Sequence, residues 1–337
     1  MPHSSLGQEL SPPTLKDVRD AAYTLQGIST LTPLLENAEV NAALGGRLLI
    51  KCENMQRTGA FKFRGAYNRI FQMDTTQKKR GAITYSSGNH AQGVALAARV
   101  LGTSALIVMP KDAPPAKIAA TRALGAEVVF FDRDTQSSDA VVQALCAKTG
   151  RIIVPPSEDR RILAGGGTVA LEILDQAAGA DIDSVLVPCG GGGVTAATAI
   201  VMQALSPDTQ VFGAEPELFD DPRRSLIAGK RLENPKGRKT ICDAIMTPTP
   251  NALTFSINQE LLAGVVTATD SDVRAAMLFA FEHFKTVIEP GAAVGLAAIL
   301  NGQADITGKT VAVVITGGNV DVDNFTAVLG AALKTRG

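Results

Sequence analysis

The chain has 337 residues, a formal net charge of −1 and a hydrophobic content of 45%. This length suggests about two domains, and the balanced charge argues against nucleic acid or an anionic membrane as a partner. No apolar run approaches the ~20 residues of a membrane span, and the N-terminal stretch lacks the pattern of a secretory signal. We therefore expect a cytoplasmic protein.

The cysteine pattern agrees with that expectation. The cysteines are scattered without a CxxC pair, and the histidines lie far apart, so no zinc-site spacing is present. Such a pattern is typical of reduced thiols. The four cysteines are Cys52, Cys146, Cys189 and Cys242.

Short apolar runs alternate with helical patterns along the chain. The first strand is predicted at residues 46–53 and is followed by a helix at 61–73, where apolar residues recur at helical spacing. The same alternation continues to a final helix. Further strands are predicted at residues 82–87, 104–110, 126–132, 151–156, 184–190, 210–216 and 310–316, and further helices at 90–102, 115–125, 138–150, 164–178, 194–205, 270–285 and 291–300.

This alternation predicts an α/β fold with two parallel sheets, because strands covered by helices on both faces are apolar throughout. The smaller sheet is expected in a domain at residues 81–158. The larger domain is expected to combine residues 1–80 with residues 159–337. Ligands of such folds lie at the carboxyl ends of the strands, so the motifs that carry chemistry are expected there.

The segment GAFKFRGAYN (59–68) places Lys62 between Phe61 and Phe63. One interpretation is a side chain whose aliphatic stem covers apolar surface while its ammonium reaches water. The other is an amine in a partly dry pocket, whose pKa falls far enough for it to act as a nucleophile and base. The segment alone leaves both interpretations open.

The motif SSGNHAQG (86–93) joins a predicted strand to a predicted helix. Its residues from Ser87 to His90 present backbone N–H groups at the start of that helix, which suits a carboxylate or a phosphate. An ordinary helix cap by Ser or Asn explains the motif equally well.

The motif CGGGGVTAAT (189–198) contains four consecutive glycines, which cost conformational entropy. They are explained if the backbone wraps closely around a phosphate at the start of the next helix. A dinucleotide site is the alternative. Thr195 occupies the third glycine position of the G-x-G-x-x-G pattern, but Glu215 lies where a ribose-binding acid is expected. An NAD-dependent oxidoreductase therefore stays open on this loop.

Two further motifs follow predicted strands. Thr316 in ITGGNVD (315–321) offers a hydroxyl for one directed hydrogen bond, although a tight turn also explains this motif. Glu215, Asp220 and Asp221 in the segment 213–222 form either a cation site with oxygen ligands or a solvated acidic loop.

Together these motifs resemble the fold type II, tryptophan-synthase-β-like class of pyridoxal-phosphate (PLP) enzymes, and within it the serine/threonine dehydratase and serine racemase group. The resemblance rests, in order, on TGAFKFRGA (58–66), SSGNHAQG (86–93), GGGG (190–193) and TGGNVD (316–321). It covers nearly the whole chain. It implies a cofactor in the cleft between the two domains, and a small, mobile domain that binds the substrate carboxylate.

The resemblance also implies a role for each motif. Lys62 is the amine that bonds to the cofactor aldehyde and the base that takes the α-proton. Asn89 binds the hydroxyl of the cofactor ring, and Thr316 faces the ring nitrogen. The other implied cofactor contacts are Phe61, Gly190, Gly191, Gly192 and Gly193, with the glycines at the phosphate. The implied substrate-binding residues are Ser86, Ser87, Gly88, Asn89 and His90.

Glu215, Asp221 and the backbone carbonyl of Phe219 match the loop that holds a divalent cation, Mg or Ca, in this group. The resemblance also implies a homodimer that acts on a small amino acid, with no nucleic-acid or membrane partner. Two departures lie near the expected substrate. They are Ser157, where Asn or a Phe-Asp pair is common, and Ala244, where glycine is usual.

The implied activity is the loss of water and then ammonia from a β-hydroxy amino acid, which leaves a 2-oxo acid. L-Threonine and L-serine are the first candidates. 3-Hydroxyaspartate is a further one, and its second carboxylate needs a cation such as Arg64, Arg160 or another arginine. In the racemase branch of this group, the serine that matches Ser87 lies on the cofactor face opposite the lysine and can give or take the α-proton. The resemblance therefore leaves a serine or aspartate-type racemase as the alternative, unless Ser87 only binds the carboxylate. A non-catalytic protein with the same fold is a third possibility.

Overall fold

The computed structural model describes residues 11–113, 115–132 and 134–335. The strands in these ranges form two separate sheets. The strands are β1 (Leu34–Glu36), β2 (Arg47–Cys52), β3 (Ala82–Tyr85), β4 (Ala105–Pro110), β5 (Glu127–Phe131), β6 (Ile152–Ile153), β7 (Ser184–Pro188), β8 (Gln210–Pro216), β9 (Gly264–Ala268) and β10 (Thr310–Ile315).

Helices connect these strands and cover both sheets. The helices are α1 (Leu15–Leu25), α2 (Ala38–Leu44), α3 (Lys62–Phe71), α4 (Thr75–Arg80), α5 (Asn89–Val100), α6 (Pro115–Ala123), α7 (Ser138–Thr149), α8 (Arg160–Gln176), α9 (Gly193–Leu205), α10 (Asp221–Ala228), α11 (Ala252–Leu261), α12 (Asp270–Phe284), α13 (Pro290–Leu300) and α14 (Val322–Thr335). In the described ranges, no helix has the length and apolar character needed to cross a membrane.

The larger sheet has the strand order β1-β2-β10-β7-β8-β9, and the smaller has the order β5-β4-β3-β6. Every neighbouring pair is parallel except β1 with β2. The predicted α/β fold with parallel sheets is therefore confirmed. The exact domain boundaries at residues 81 and 158 stay a prediction.

The sequence analysis missed β1 and β9, which are the two edge strands of the larger sheet. Four of the five residues in β9 are only partly buried, and β1 has three residues of which one is exposed. A strand that is covered less completely carries a weaker apolar signal. The physical reason for the error is thus the position of these strands at the edges.

The central strand β10 shows how the core is built. Val311, Val313 and Ile315 pack against α12 and α13 on one face of the sheet. Ala312 and Val314 pack on the other face, in a cluster with α1, α8 and α9. Alternating residues of a strand point to opposite faces, and burial of each large side chain contributes about 1.5–3 kcal/mol. This double cover holds the carboxyl end of β10 in a fixed place.

A buried ion network ties α3 to β2 and α8. Arg64, at 0% exposure, forms two hydrogen bonds of 2.8 Å with Glu53 and one of 2.6 Å with Oε1 of Glu172. Lys51 Nζ lies 2.6 Å from Oε2 of the same Glu172. Although burial favours the neutral acid, Arg64 holds the pKa of Glu53 below its usual value. The network anchors the helix that begins at Lys62.

Candidate active site

The four sequence motifs all lie at the carboxyl ends of strands. Lys62 is the first residue of α3, which follows β2, and Asn89 is the first residue of α5, which follows β3. Gly193 begins α9 after β7, and Thr316 directly follows β10. The carboxyl ends of β2, β7 and β10 lie at one edge of the larger sheet, which brings three of the motifs together. The fourth follows β3 of the smaller sheet and reaches the others through the hydrogen bond between Asn89 and Asn319.

Direct contacts join these motifs to one another. The backbone N–H of Phe61 donates to the carbonyl of Thr316 at 3.1 Å, and Lys62 Nζ donates to the carbonyl of Pro156 at 3.0 Å. Next along the chain, Ser157 lies against the glycine loop, since a Cβ on Gly193 would come within 2.9 Å of its Cβ. The lysine, glycine and threonine motifs therefore form one site.

The amine of Lys62 is held in a desolvated place. Burial lowers its pKa to about 8, and the negative charge of Glu289 opposes this shift. The Nζ atom also lies 5.0 Å from the centre of the Phe61 ring. A lysine amine with this pKa is far more often neutral near pH 7 to 8 than an ordinary lysine, whose pKa is about 10.4, and the neutral form is the nucleophile and base. The geometry favours this interpretation over a surface-covering side chain.

Side chains from another segment contact the glycine loop closely. Gly192 caps α9 with a φ of 78°, and a Cβ there would lie 2.6 Å from Nδ2 of Asn258. The hydroxyl of Thr254 donates to the carbonyl of Gly191 at 2.6 Å. The N–H groups in the first turn of α9 have no intrahelical partner and lie at the positive end of the helix dipole. The loop is thus built for an anion such as a phosphate.

Asn89 belongs to a pair of hydrogen bonds that the sequence analysis missed. Its Nδ2 donates to Glu289 Oε1 at 2.7 Å, and its Oδ1 accepts from Nδ2 of Asn319 at 2.8 Å. Burial raises the pKa of Glu289 to about 7, while the Asn89 bond favours the charged form. Glu289 precedes Pro290 at a helix start, where an acid is typical of a cap, so the sequence carries no distinct signal for it.

Asn319 also holds the turn that leads to Lys62. Thr58 and Gly59 both have left-handed backbones, with φ of 63° and 71°. The carbonyl of Thr58 accepts from Asn319 Nδ2 at 2.7 Å. A left-handed conformation costs a non-glycine residue about 1–3 kcal/mol and is found at functional sites. The contact couples the first sequence motif to the fourth.

The loop from Ser86 to His90 is shaped by internal contacts. The hydroxyl of Ser86 accepts from the backbone N–H of Gly88 at 3.1 Å, and Ser87 is partly buried. The ring of His90 is turned to the carbonyl of Val154 at 2.9 Å. Burial, helped by the charge of Lys62, lowers its pKa to about 3. The imidazole is therefore neutral, and the backbone of His90 is the part that belongs to the loop.

The first of the two departures from the family pattern has a structural explanation. Ser157 is buried, and its hydroxyl accepts a hydrogen bond from the side chain of Asn251. A Cβ on Gly191 would lie 2.8 Å from that same amide nitrogen. Asn251 thus brings an amide to the glycine loop from a distant segment. Its sequence context contains no motif that could have revealed this position.

The acidic loop contains buried carboxyl oxygens without hydrogen-bond partners. Neither carboxylate oxygen of the fully buried Glu215 has a hydrogen-bond partner, and Oδ2 of Asp221 has none either. Burial, and then the charge of Asp221, raises the pKa of Glu215 well above its usual value. Asp220 instead pairs with Arg223 and Arg224 at 3.0 and 2.7 Å. Phe219, whose carbonyl is the third predicted ligand, ends the short 3-10 helix between these acids.

Orphaned buried oxygens of this kind fit a hard divalent cation. Among the described residues, however, no group of three or more His, Cys, Asp or Glu side chains forms a metal site. The fit to a divalent cation therefore rests on the carboxylates of Glu215 and Asp221. Full burial of Glu215 also removes the support for a dinucleotide, because a ribose-binding acid has to reach its ligand.

Comparison with known proteins gives a consistent picture. A family model described as "Pyridoxal-phosphate dependent enzyme" matches residues 26–317. An L-threo-3-hydroxyaspartate ammonia-lyase of Pseudomonas sp is 41% identical over 93% of this chain and 97% of its own length. A serine racemase of Schizosaccharomyces pombe is 35% identical over 95% of this chain and 98% of its own.

A solved structure agrees with these relatives. The T.th. threonine deaminase is 41% identical and superimposes with a TM-score of 0.86. The match covers 92% of this chain and 99% of that one. With its partly buried Lys62, its glycine loop and this family match over most of its length, the chain belongs to the pyridoxal-phosphate-dependent enzymes of fold type II.

Proposed function

We propose that the protein is a PLP-dependent ammonia-lyase, which removes water and then ammonia from a β-hydroxy amino acid and leaves a 2-oxo acid. The observation that carries this proposal is the desolvated Lys62 amine, with a pKa of about 8, beside motif loops that contact one another. The names of the Pseudomonas and T.th. relatives, an ammonia-lyase and a deaminase, support the same reaction class.

The residues present fit pyridoxal phosphate. The glycine loop and the start of α9 would hold its phosphate, Lys62 its aldehyde carbon, Asn89 its ring hydroxyl and Thr316 its ring nitrogen. When bound, the cofactor supplies an electron-accepting ring that stabilises negative charge at the α-carbon of the amino acid. Phe61, next to Lys62, would contribute apolar contact.

The protein's own groups provide binding and proton transfer. The backbone N–H groups from Ser87 to His90, at the start of α5, bind the α-carboxylate and so orient the substrate. The neutral amine of Lys62 takes the α-proton. Because burial lowers the pKa of His90 to about 3 and its ring is turned to the carbonyl of Val154, it is too weak a base to compete with Lys62. Ser87 keeps racemisation as a second candidate, supported by the relative named serine racemase.

A panel assay tests the proposed reaction. Purified holoenzyme is incubated with threonine, serine and 3-hydroxyaspartate, and 2-oxo acid and ammonia are measured together with the chirality of the remaining amino acid. We expect equimolar 2-oxo acid and ammonia from at least one substrate, and a loss of at least about 10³-fold in Lys62→Ala, since this residue is both the cofactor's anchor and the base. Chiral inversion without any 2-oxo acid would instead assign a racemase.

The pKa of Lys62 predicts how apoprotein captures the cofactor. Only the neutral amine attacks an aldehyde, so capture is slow below the pKa and accelerates as pH rises through it. With a pKa of about 8, we expect the rate to reach half its maximum near that pH. Stopped-flow absorbance from about pH 6 to about pH 10 measures this. A midpoint near the ordinary lysine value of about 10.4 would contradict a desolvated amine, and Lys62→Ala is the control without capture.

The glycine loop predicts a loss of cofactor affinity on substitution. Gly192 and Gly302 share a φ of 78°, but only at Gly192 does a Cβ meet a side chain within 4 Å. Both substitutions to Ala should cost about 1–2 kcal/mol of stability from left-handed strain. Only Gly192→Ala should also raise the Kd for PLP, by at least about 10-fold, since the loop must move away from Asn258. Equal affinities in fluorescence titrations would show that the loop does not hold the cofactor.

We also propose that Glu215, Asp221 and the carbonyl of Phe219 bind a divalent cation, Mg or Ca. The cation would compensate the orphaned carboxylate oxygens and brace the loop that follows β8. Its expected role is structural.

Removal of the metal tests this assignment. Addition of Mg or Ca to chelator-treated protein should raise its melting temperature, because a ligand at 100 times its Kd stabilises the folded state by about 2.7 kcal/mol. Glu215→Gln and Asp221→Asn should abolish the shift, whereas Glu217→Gln, at an exposed neighbour, should retain it. Calorimetry measures each case, and an equal shift in all variants would refute the site.

Domain organisation, assembly and location are proposals of the same kind. We propose that residues 81–158 form a small mobile domain, since their strands form a separate sheet with its own apolar cluster. We also propose a homodimer in the cytoplasm. The free thiols of all four cysteines agree with a reducing compartment.

A further inference from the structure

One ion pair joins the segment of the smaller sheet to the segment of the larger sheet beside the site. Lys117 lies in α6, between two strands of the smaller sheet, and its Nζ is 2.6 Å from Oδ2 of Asp243. Asp243 begins the short 3-10 helix Asp243–Ile245. The side chains are 25% and 58% exposed, so the lysine is mostly covered and the aspartate mostly solvated.

The helix that carries Asp243 is part of the wall of the site. A Cβ on Gly190 would lie 3.0 Å from the Cα of Ile245, so this turn packs directly on the glycine loop. Both charges of the pair act on Glu289, the carboxylate bonded to Asn89. By geometry, the ammonium of Lys117 is held against the turn that packs on the glycine loop.

The arginines considered for an acidic substrate are engaged elsewhere. Arg64 is fully buried between Glu53 and Glu172. Arg160 donates to Asp17 at 2.6 Å and to Ser11 at 2.9 Å. Moving either side chain to a substrate would leave acidic protein groups without their partner, and for the buried network this is costly.

We propose that Lys117 is the specificity-determining cation of this site, which binds the distal carboxylate of an acidic β-hydroxy amino acid such as 3-hydroxyaspartate by leaving Asp243 for the substrate. This inference rests on the proposed lyase activity and names its substrate class. The ammonium exchanges one carboxylate for another, so its charge stays compensated throughout. Breaking the pair costs little stability, because the Asp243 side chain is 58% exposed and exposed ion pairs are weak.

The same geometry explains discrimination between substrates. Serine and threonine carry no distal charge, so they leave the Lys117–Asp243 pair intact and gain nothing from it. An acidic substrate carries a second carboxylate into the site. A carboxylate that leaves water needs a cationic partner, because an unpaired buried charge is costly. Preference for the acidic substrate should therefore depend on the charge at position 117.

The test compares kcat/KM for 3-hydroxyaspartate and for serine in holoenzyme variants. Lys117→Met should lower the ratio of the two values at least 10-fold, whereas Lys117→Arg should keep most of the preference. Lys111→Met is the matched control, because Lys111 is a 66% exposed lysine of the same segment that pairs with Asp132, and its ratio should not change. Equal losses for both substrates in Lys117→Met would overturn the proposal and leave Lys117 a brace between the two segments.

A binding measurement separates this inference from the proposed reaction. Succinate has two carboxylates, and butyrate replaces one of them by a methyl group. Titration calorimetry on holoenzyme should show at least 10-fold tighter binding of succinate, a preference that Lys117→Met removes and Asp243→Asn increases. An unchanged preference in both variants would overturn the role of Lys117. If no hydroxy amino acid reacts, the proposed lyase activity is refuted. The succinate preference then still tests the role of Lys117.

Discussion

The chemistry proposed for the site depends on the desolvation of one amine. Lys62 Nζ is enclosed beside the Phe61 ring and donates to the carbonyl of Pro156, a neutral acceptor that does not compensate a full positive charge. Desolvation therefore lowers its pKa to about 8. A carboxylate in direct contact would keep the amine protonated and unreactive. The acid whose charge opposes this shift is Glu289. Burial pushes Glu289 itself towards its neutral form, so it does little to keep the lysine protonated.

The surrounding contacts make this arrangement rigid. Thr58 is held in a left-handed backbone by Asn319, which also bonds Asn89, and Asn89 bonds Glu289. Elements from opposite ends of the chain therefore position the turn before Lys62 and the loop before α5 together. The strain at Thr58 is tolerated because these contacts over-determine the local conformation. Preorganisation of this kind reduces the reorganisation needed when a substrate binds.

Charges elsewhere in the molecule fall into two classes. The Arg64 network is fully compensated and buried, so it stabilises α3 and is unavailable to ligands. Both carboxyl oxygens of the buried Glu215 and Oδ2 of Asp221 have no hydrogen-bond partner. Lys117 is paired with Asp243, whose side chain is largely exposed. Uncompensated or weakly held charges are the ones that can respond to a cation or a substrate. Charged groups with buried partners thus support the fold, and those without buried partners are candidates for binding.

The sequence by itself determined the α/β alternation, the parallel sheets and the family, because covered strands and glycine-rich loops leave local signals. It marked Lys62, Asn89 and the Gly190–Gly193 loop for the same reason. The edge strands β1 and β9 were not predicted, because their partial exposure weakens the apolar pattern. Only the tertiary structure showed that Glu289, Asn251 and Lys117 lie at or beside the site. Each meets its partner across 94 to 200 residues of chain, and no local pattern encodes a contact that exists only after the sheets have packed.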